Sequence, residues 1–283
     1  MDISTINYTS NNAGAEFVNS LKKTGFAVID NHPVSAHLIE GVYREWQEFF
    51  NSENKHSYKY SINLQDGYVG LDDSETAQGE IHPDIKEYYQ LYFPWGRYPN
   101  SISMRTRELF NQLFDVAQVL LGFIEDEVDA EVLKNLNMPL RESPSESKSL
   151  FRVINYPPVR NKDGMWAAPH QDINLITLLP ASTLSGLQVQ GPDESWHDVG
   201  TDFGQIIINT GDMLQECSNY YFKSTTHRVI DDLDREPVNR MSFPLFLHPH
   251  SEVRLSNRHT AKSYLEERLR ENGMLSTDEQ LDF

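Results

Sequence analysis

The 283-residue chain predicts a mainly β protein with flanking helices, whose β part is a jelly-roll type double sheet. Three observations carry that expectation. From Leu150 onward, six short β-rich runs follow at fairly even spacing: LFRVINY, NLITLLP, GLQVQG, GQIIINTG, STTHRVI and RMSFPLFLHP, each flanked by Gly, Pro, Asp or Asn. No segment of helical length separates them, which disfavours the βαβ units of a parallel sheet and favours two packed layers. The first half instead carries a 3.6-residue period, so its helices are expected to pack on something larger.

Taken in chain order, SAHLIEGVYREWQEFF places Leu38, Val42, Trp46 and Phe49 on one helical face. Residues 51–101 hold Gly, Pro, Tyr and polar clusters with little periodicity, and read as long loops forming a rim or a lid. MRTRELFNQLFDVAQVLLGFIEDEV then repeats the helical period through Leu109, Leu113, Val116, Leu120 and Ile124. SPSESKS at 143–149 has the composition of a linker between the helical and β parts, although nothing marks these as independent domains. The charged SYLEERLRENG predicts a terminal helix, and no internal repeat is found.

Composition narrows the function classes. With 39% hydrophobic and 23% charged residues the chain can bury a core, and a net charge of −18 repels phosphate backbones and anionic lipid. The expected partner is therefore a small molecule rather than nucleic acid or a membrane surface; oligomeric state is not legible. MDISTINYTSNN lacks the order of a signal peptide and no apolar run is long enough to span a bilayer. Cys217 is the single cysteine, which excludes an internal disulfide and a thiolate zinc cluster and fits a cytoplasmic, reducing location.

Ten histidines and twenty aspartates should produce roughly 0.7 His-x-Asp pairs by chance, so a bare pair decides nothing. Two pairs occur. His82-Pro83-Asp84 carries a proline that marks a turn or helix start, and no metal role is expected of it. His170 and Asp172, in PHQDINLITLLP, stand at the start of a strand, where residues two apart share a face and can point at one ion. His227 in STTHRVI is the candidate third ligand; its bland alternative is a core histidine bonded to a backbone carbonyl. Two imidazoles and one carboxylate leave coordination positions open, a set that suits non-haem Fe(II). Arg240 and Ser242, two apart in RMSFPLFLHP, can offer a guanidinium fork and a hydroxyl to one carboxylate, with the Tyr156 phenol as a further donor. A strand-edge arginine and a core tyrosine are the alternatives.

With these residues in place the chain resembles the isopenicillin N synthase-like family of 2-oxoglutarate and Fe(II)-dependent dioxygenases. GFAVIDNHPV resembles its "GF…V.NHG" segment, INYPP its "NYYPP/HYPP" strand and PHQDINLITLL its "HTD…ITLL" segment. INTGDMLQECSNYYFKSTTHRV is similar to its "N.GD.LE..TNG..KST.HRV" segment, and RMSFPLFLHP to its "R.S..FF..P" strand. The resemblance implies a double-stranded β-helix (jelly-roll) core, His170, Asp172 and His227 as iron ligands, and Arg240, Ser242 and Tyr156 around the distal carboxylate of 2-oxoglutarate. It implies one catalytic unit over 1–283: a helical and loop-rich part at 1–142, a jelly-roll part with the metal site at 150–250, and a helical tail at 251–283. The Pro169-His170-Gln171 context, the NYYFKST turn and the stretch between His227 and Arg240 depart from the family pattern and bear on loops and substrate choice.

The implied reaction uses Fe(II), 2-oxoglutarate and O2 to hydroxylate a small molecule, with desaturation or ring closure open to the same oxidant, and releases succinate and CO2. Alternatives are an isopenicillin N synthase-like oxidase that needs no 2-oxoglutarate, a zinc hydrolase on the same His2Asp set, and a silent jelly-roll binding protein. Candidates for the substrate rim are Gly67, Tyr68, Tyr92, Phe93, Trp95, Arg97, Arg152, Met165, Trp166 and Tyr220 to Phe222.

Overall fold

The structure is a computed structural model that describes residues 1–283 apart from 63, 74–83, 160–164, 274, 277–279 and 282–283. In chain order its elements are β1 (Thr5–Asn7), α1 (Ala13–Thr24), β2 (Phe26–Asp30), α2 (Ala36–Phe50), β3 (Gly67–Val69), β4 (Glu87–Tyr92) and α3 (Arg105–Glu127). There follow β5 (Leu150–Tyr156), β6 (Met165–His170), β7 (Ile176–Pro180), β8 (Leu187–Gln190), β9 (Trp196–Asp198) and β10 (Ile206–Thr210). The chain closes with α4 (Asp212–Cys217), β11 (His227–Ile230), β12 (Arg240–Ser242), β13 (Leu245–Leu247) and α5 (Ala261–Glu271).

Two sheets make the expected jelly roll. The larger runs β1-β2-β10-β7-β13-β5-β4-β3, with β12 also paired to β5; the smaller runs β6-β11-β8-β9. Alternation along the larger sheet sorts its side chains into two cores. Ala27, Ile29, Ile206, Ile208, Phe151 and Val153 face the helices, where they meet Leu38, Val42, Trp46, Phe49, Leu109, Leu113 and Leu120. Phe26, Val28, Ile207, Ile154 and Tyr156 face the smaller sheet, where they meet Trp166, Leu187, Val189 and Val229. The helical faces read from the sequence are thus the ones buried, and the terminal helix forms with a Thr260 capping box.

Three expectations need correction. Residues 51–101 are not simply loops: β4 pairs with β5 over six residue pairs and β3 pairs with β4. EYYQLY hides its strand because all six residues are buried, so no exposed face supplies a polar alternation. Its Glu87 is tolerated there because Asn155 donates to it at 2.8 Å, Lys55 at 3.0 Å and Tyr68 at 2.5 Å. Second, the serine-rich 143–149 stretch is packed rather than a free linker. Ser143, Ser145 and Ser149 are buried, and backbone bonds tie Ser145 to His248 and His250 to Ser143. Third, RMSFPLFLHP is two strands, because Pro244 has no N–H to continue the ladder.

Candidate metal and co-substrate site

His170 is the last residue of β6, not the start of the following strand, and Asp172 lies in the turn between β6 and β7. MWAAPH was missed as a strand because small residues and a proline carry little β signal. His227 opens β11 and pairs directly with His170. One donor atom from each of His170, Asp172 and His227 lies within 4.8 Å of the others, a separation suited to a single shared ion. Asp172 Oδ1 is 3.9 Å from His170 Nε2 and 3.8 Å from His227 Nε2, and the two rings are 4.4 Å apart.

The hydrogen bonds behind these atoms determine how they are aimed. His170 Nδ1 is 2.7 Å from the Ala168 carbonyl and His227 Nδ1 is 3.1 Å from the Thr225 carbonyl. A carbonyl only accepts, so each Nδ1 carries the hydrogen and each Nε2 presents its lone pair to the shared point. The carbonyl-bonded histidine foreseen as the bland alternative for His227 is therefore also the ligand-ready one. Asp172 Oδ2 accepts from Thr177 Oγ1 at 2.5 Å and from Asn209 Nδ2 at 2.8 Å, which leaves Oδ1 for the metal. Burial works against its charge, but His227, His170 and those two donors hold the Asp172 carboxyl below the usual carboxylate range. The His170 side chain is 41% exposed toward the cavity; burial of the rest of the ring and the neighbouring His227 push it down to about 4, so the ring is neutral at pH 7. The Asp172 turn is seated by the junction of β10 and α4: Asp212 N–H donates to Asp172 O at 2.7 Å, and Gly211 comes so close that a Cβ there would lie 2.2 Å from Asn174 O.

A second polar centre lies deeper between the sheets. On β12, Arg240 pairs with Tyr156 of β5 and Ser242 with Ile154. Arg240 is 2% exposed, its Nε donates to Leu184 O at 3.0 Å and its Nη2 to Ser182 Oγ at 2.9 Å. Nη1 is buried with no partner among the described residues. The Tyr156 ring centroid is 4.9 Å from the guanidinium carbon. Burial pulls the guanidinium pKa down, against the opposing influence of Tyr156 and Tyr43.

A cavity of about 1770 Å3 opens above His170 and Asp172, which stand in its wall beside Lys86, Tyr88, Arg152, Phe246 and His248. Of the rim candidates, Tyr68, Tyr92 and Arg152 line it. Phe93 and Phe222 are core, Trp95 stacks on Tyr92 at 4.6 Å, and Arg97 is paired with Asp66. Trp166 lies between the sheets beside Tyr156 and Arg240.

Comparison with known proteins agrees with this arrangement. Residues 147–249 match the profile of the 2OG-Fe(II) oxygenase superfamily, and residues 1–112 match that of the N-terminal region named for a non-haem dioxygenase in morphine synthesis. A solved structure from Shewanella oneidensis, assigned as an oxygenase, is 44% identical, with a TM-score of 0.87 over 97% of this chain and 100% of that one. The chain belongs to the 2OG-Fe(II) oxygenase superfamily. A Caulobacter crescentus protein assigned to the same family is 26% identical, with a TM-score of 0.80 over 95% of this chain and 98% of its own. Jasmonate-induced oxygenase 3 of Arabidopsis thaliana is 28% identical over 84% of this chain and 67% of its length. Across three such jasmonate-induced oxygenases the chain spans 59% to 67% of the relative's length. By family, then, this is an oxidoreductase whose cofactors are Fe(II) and 2-oxoglutarate.

In this oxygenase the structure brings His170, Asp172 and His227 together, and brings Arg240 to Tyr156. His82 and Pro83 lie outside the described residues. Asp84 is a structural group: it accepts from Ala168 N–H at 2.9 Å and from Lys86 at 2.7 Å, bracing β6 two residues before His170. The sequence reading missed Thr177, Asn209 and Ser182. Thr177 and Asn209 stood inside the quoted ITLL and N.GD segments, so the signal was present; Ser182 lies far from Arg240 in sequence and only the fold joins them. Cys217 is a buried α4 residue whose thiol is pushed up to about 12 by burial, which leaves it inert.

Proposed function

We propose that this oxygenase hydroxylates a small organic molecule held in the cavity above His170 and Asp172. His170, Asp172 and His227 hold Fe(II); Arg240, Ser242 and Tyr156 hold the far carboxylate of 2-oxoglutarate. The observation that carries this reading is Arg240. A guanidinium removed from water, without a carboxylate partner among the described residues and with Nη1 unbonded, is a costly group unless an anion completes it. A reading without 2-oxoglutarate leaves that charge uncompensated, and a zinc hydrolase has no use for it.

When bound, Fe(II) with 2-oxoglutarate and O2 supplies the oxidant that turns a C–H bond into C–OH while 2-oxoglutarate leaves as succinate and CO2. The chain's own residues provide position and protection. Thr177 and Asn209 fix Asp172 as a ligand through one oxygen, which keeps positions open for the co-substrate. Arg240, itself locked by Leu184 and Ser182, selects a diacid by charge and geometry. The inter-sheet side chains keep water from the Arg240 end. Among the described residues no helix is long and apolar enough to cross a membrane, and with the single buried cysteine this supports the cytoplasmic reading. The net charge of −18 supports a small-molecule partner over nucleic acid.

The test is an anaerobic titration of metal-free protein with Fe(II) and then 2-oxoglutarate, followed by visible absorption. A weak charge-transfer band is expected in the wild type, absent in His170→Ala and weakened in Arg240→Ala. Fe(II) binding without a band on adding 2-oxoglutarate would overturn the co-substrate assignment, and no Fe(II) binding would overturn the metal site.

A further inference from the structure

We infer that Trp166 is a second buried donor to the far carboxylate of 2-oxoglutarate, a specificity residue supplied by β6 from the sheet opposite Arg240. The inference rests on the co-substrate reading above. Trp166 is 1% exposed, and its indole Nε1 is buried with no hydrogen-bond partner among the described residues. Buried indole N–H groups almost always find an acceptor, and an orphan of this kind costs about as much as a lost hydrogen bond. Two other tryptophans of the chain follow that rule: Trp46 donates to Thr106 at 2.9 Å and Trp95 to Ser147 O at 2.9 Å.

The surroundings of Trp166 say what the missing acceptor is. The guanidinium carbon of Arg240 lies 6.0 Å from the Trp166 ring centroid and 4.9 Å from that of Tyr156, so the three groups are neighbours between the sheets. Arg240 Nη1 is also a buried donor without an acceptor among the described residues. The neighbouring ring cannot satisfy the indole. Its N–H lies in the indole plane, and the Trp166 and Tyr156 planes are tilted by only 31° at 5.5 Å, which does not direct the N–H at the Tyr156 face. The benzo edge is turned toward Gly186, whose Cβ would stand 3.6 Å from Cζ3. Two neighbouring orphaned donors, one of them cationic, in the dry space between the sheets call for acceptors, and one two-oxygen anion can serve both. Held from both sheets, the carboxylate is fixed in orientation as well as in charge.

The test compares two keto acids that differ at that end: 2-oxoglutarate, and 2-oxobutanoate, which lacks the distal carboxylate. Each is titrated anaerobically into the Fe(II) protein, following the visible band, in wild type and Trp166→Phe. The substitution is expected to weaken 2-oxoglutarate roughly tenfold to hundredfold, the range for one hydrogen bond to a charged group, and to leave 2-oxobutanoate within about twofold. An equal loss for both acids, or no loss for either, overturns the assignment of Trp166 while the band itself upholds the co-substrate site. A wild type that binds Fe(II) but shows no band with either acid overturns both readings. A second measurement does not depend on the variant's stability: in Zn(II)-loaded protein with 15N-labelled indoles, only four resonances exist. 2-Oxoglutarate is expected to shift the one that vanishes in W166F or W166Y and slow its solvent exchange, and an unmoved resonance in saturated protein overturns the inference.

Discussion

At the metal end of the inter-sheet site, the ligand atoms that point away from the ion are already spoken for. The imidazole Nδ1 atoms of His170 and His227 meet carbonyls, and Asp172 Oδ2 meets Thr177 and Asn209. At the other end Arg240 is locked through two of its three nitrogens, and the third is left buried without an acceptor. One end is complete within the chain; the other is complete only with an anion. On the proposed reading, the difference teaches that the fold orients the candidate metal ligands in advance, whereas at Arg240 it gives up stability to hold a desolvated charge for an anion.

The largest effect expected from breaking this contrast is at Arg240. Arg240→Met removes the buried charge and keeps much of the side-chain volume. It should weaken 2-oxoglutarate on the order of a hundredfold or more while leaving Fe(II) affinity near that of the wild type. In the same variant, thermal unfolding without 2-oxoglutarate should occur at an equal or higher temperature, because an uncompensated cation has been replaced by an apolar chain. Opposite signs for ligand affinity and free-protein stability are the signature of a site built for a missing anion. A variant that loses stability together with affinity would make Arg240 a structural residue. Arg240→Lys should not restore binding, since a point charge cannot reproduce the fork held by Ser182 and Leu184.

A smaller effect is expected at the completed end. Thr177→Val deletes one of two hydrogen bonds to Asp172 Oδ2 and changes little else in shape. Fe(II) affinity should fall about 10-fold to 100-fold, the usual cost of losing a group that orients a ligand, with 2-oxoglutarate affinity of the Fe(II)-saturated protein less affected. Metal affinity measured by competition with a chelator checks this. An unchanged value would mean that Asn209 alone orients the carboxylate.

The same contrast explains what the sequence could disclose. His170, Asp172, His227, Arg240 and Ser242 carry chemistry that their types and order announce, and Thr177 and Asn209 sit inside the same motifs. Ser182 does not announce itself, and Trp166 was singled out only as a rim candidate, because what matters about both is a distance across the sandwich: 6.0 Å from the Trp166 ring to the Arg240 guanidinium, and 2.9 Å from Arg240 Nη2 to Ser182. The fold shows the same division. Helices α2 and α3 were legible because one face is wet and one dry. Strand β4 was not, because a strand covered on both sides has no polar alternation, and its buried Glu87 argues against a strand until Asn155, Lys55 and Tyr68 are seen around it.

The smallest expected effect concerns acid, and it separates the cavity wall from the metal-binding trio. His248, following β13, lines the cavity with its Nδ1 at 3.0 Å from the Phe246 carbonyl. Burial pushes it down from 6.5 to about 4, against the Phe246 carbonyl and the charge of Asp172. A histidine whose folded pKa lies below its unfolded value contributes stability that is fully present above pH 6.5. That stability is lost as pH falls toward 4, because over that window the unfolded chain binds the proton and the folded one does not. His170, also near 4, acts in the same direction over the same window. Metal-free wild type should therefore lose melting temperature steadily from pH 6.5 to pH 4, and His248→Gln should flatten that decline without abolishing it, leaving the part that belongs to His170 and to His32, which burial also lowers. Melting curves across this range for the two proteins decide the matter. An unchanged slope in His248→Gln would assign the acid sensitivity to those other histidines, and a slope reduced to zero would mean that neither His170 nor His32 is held neutral by its surroundings.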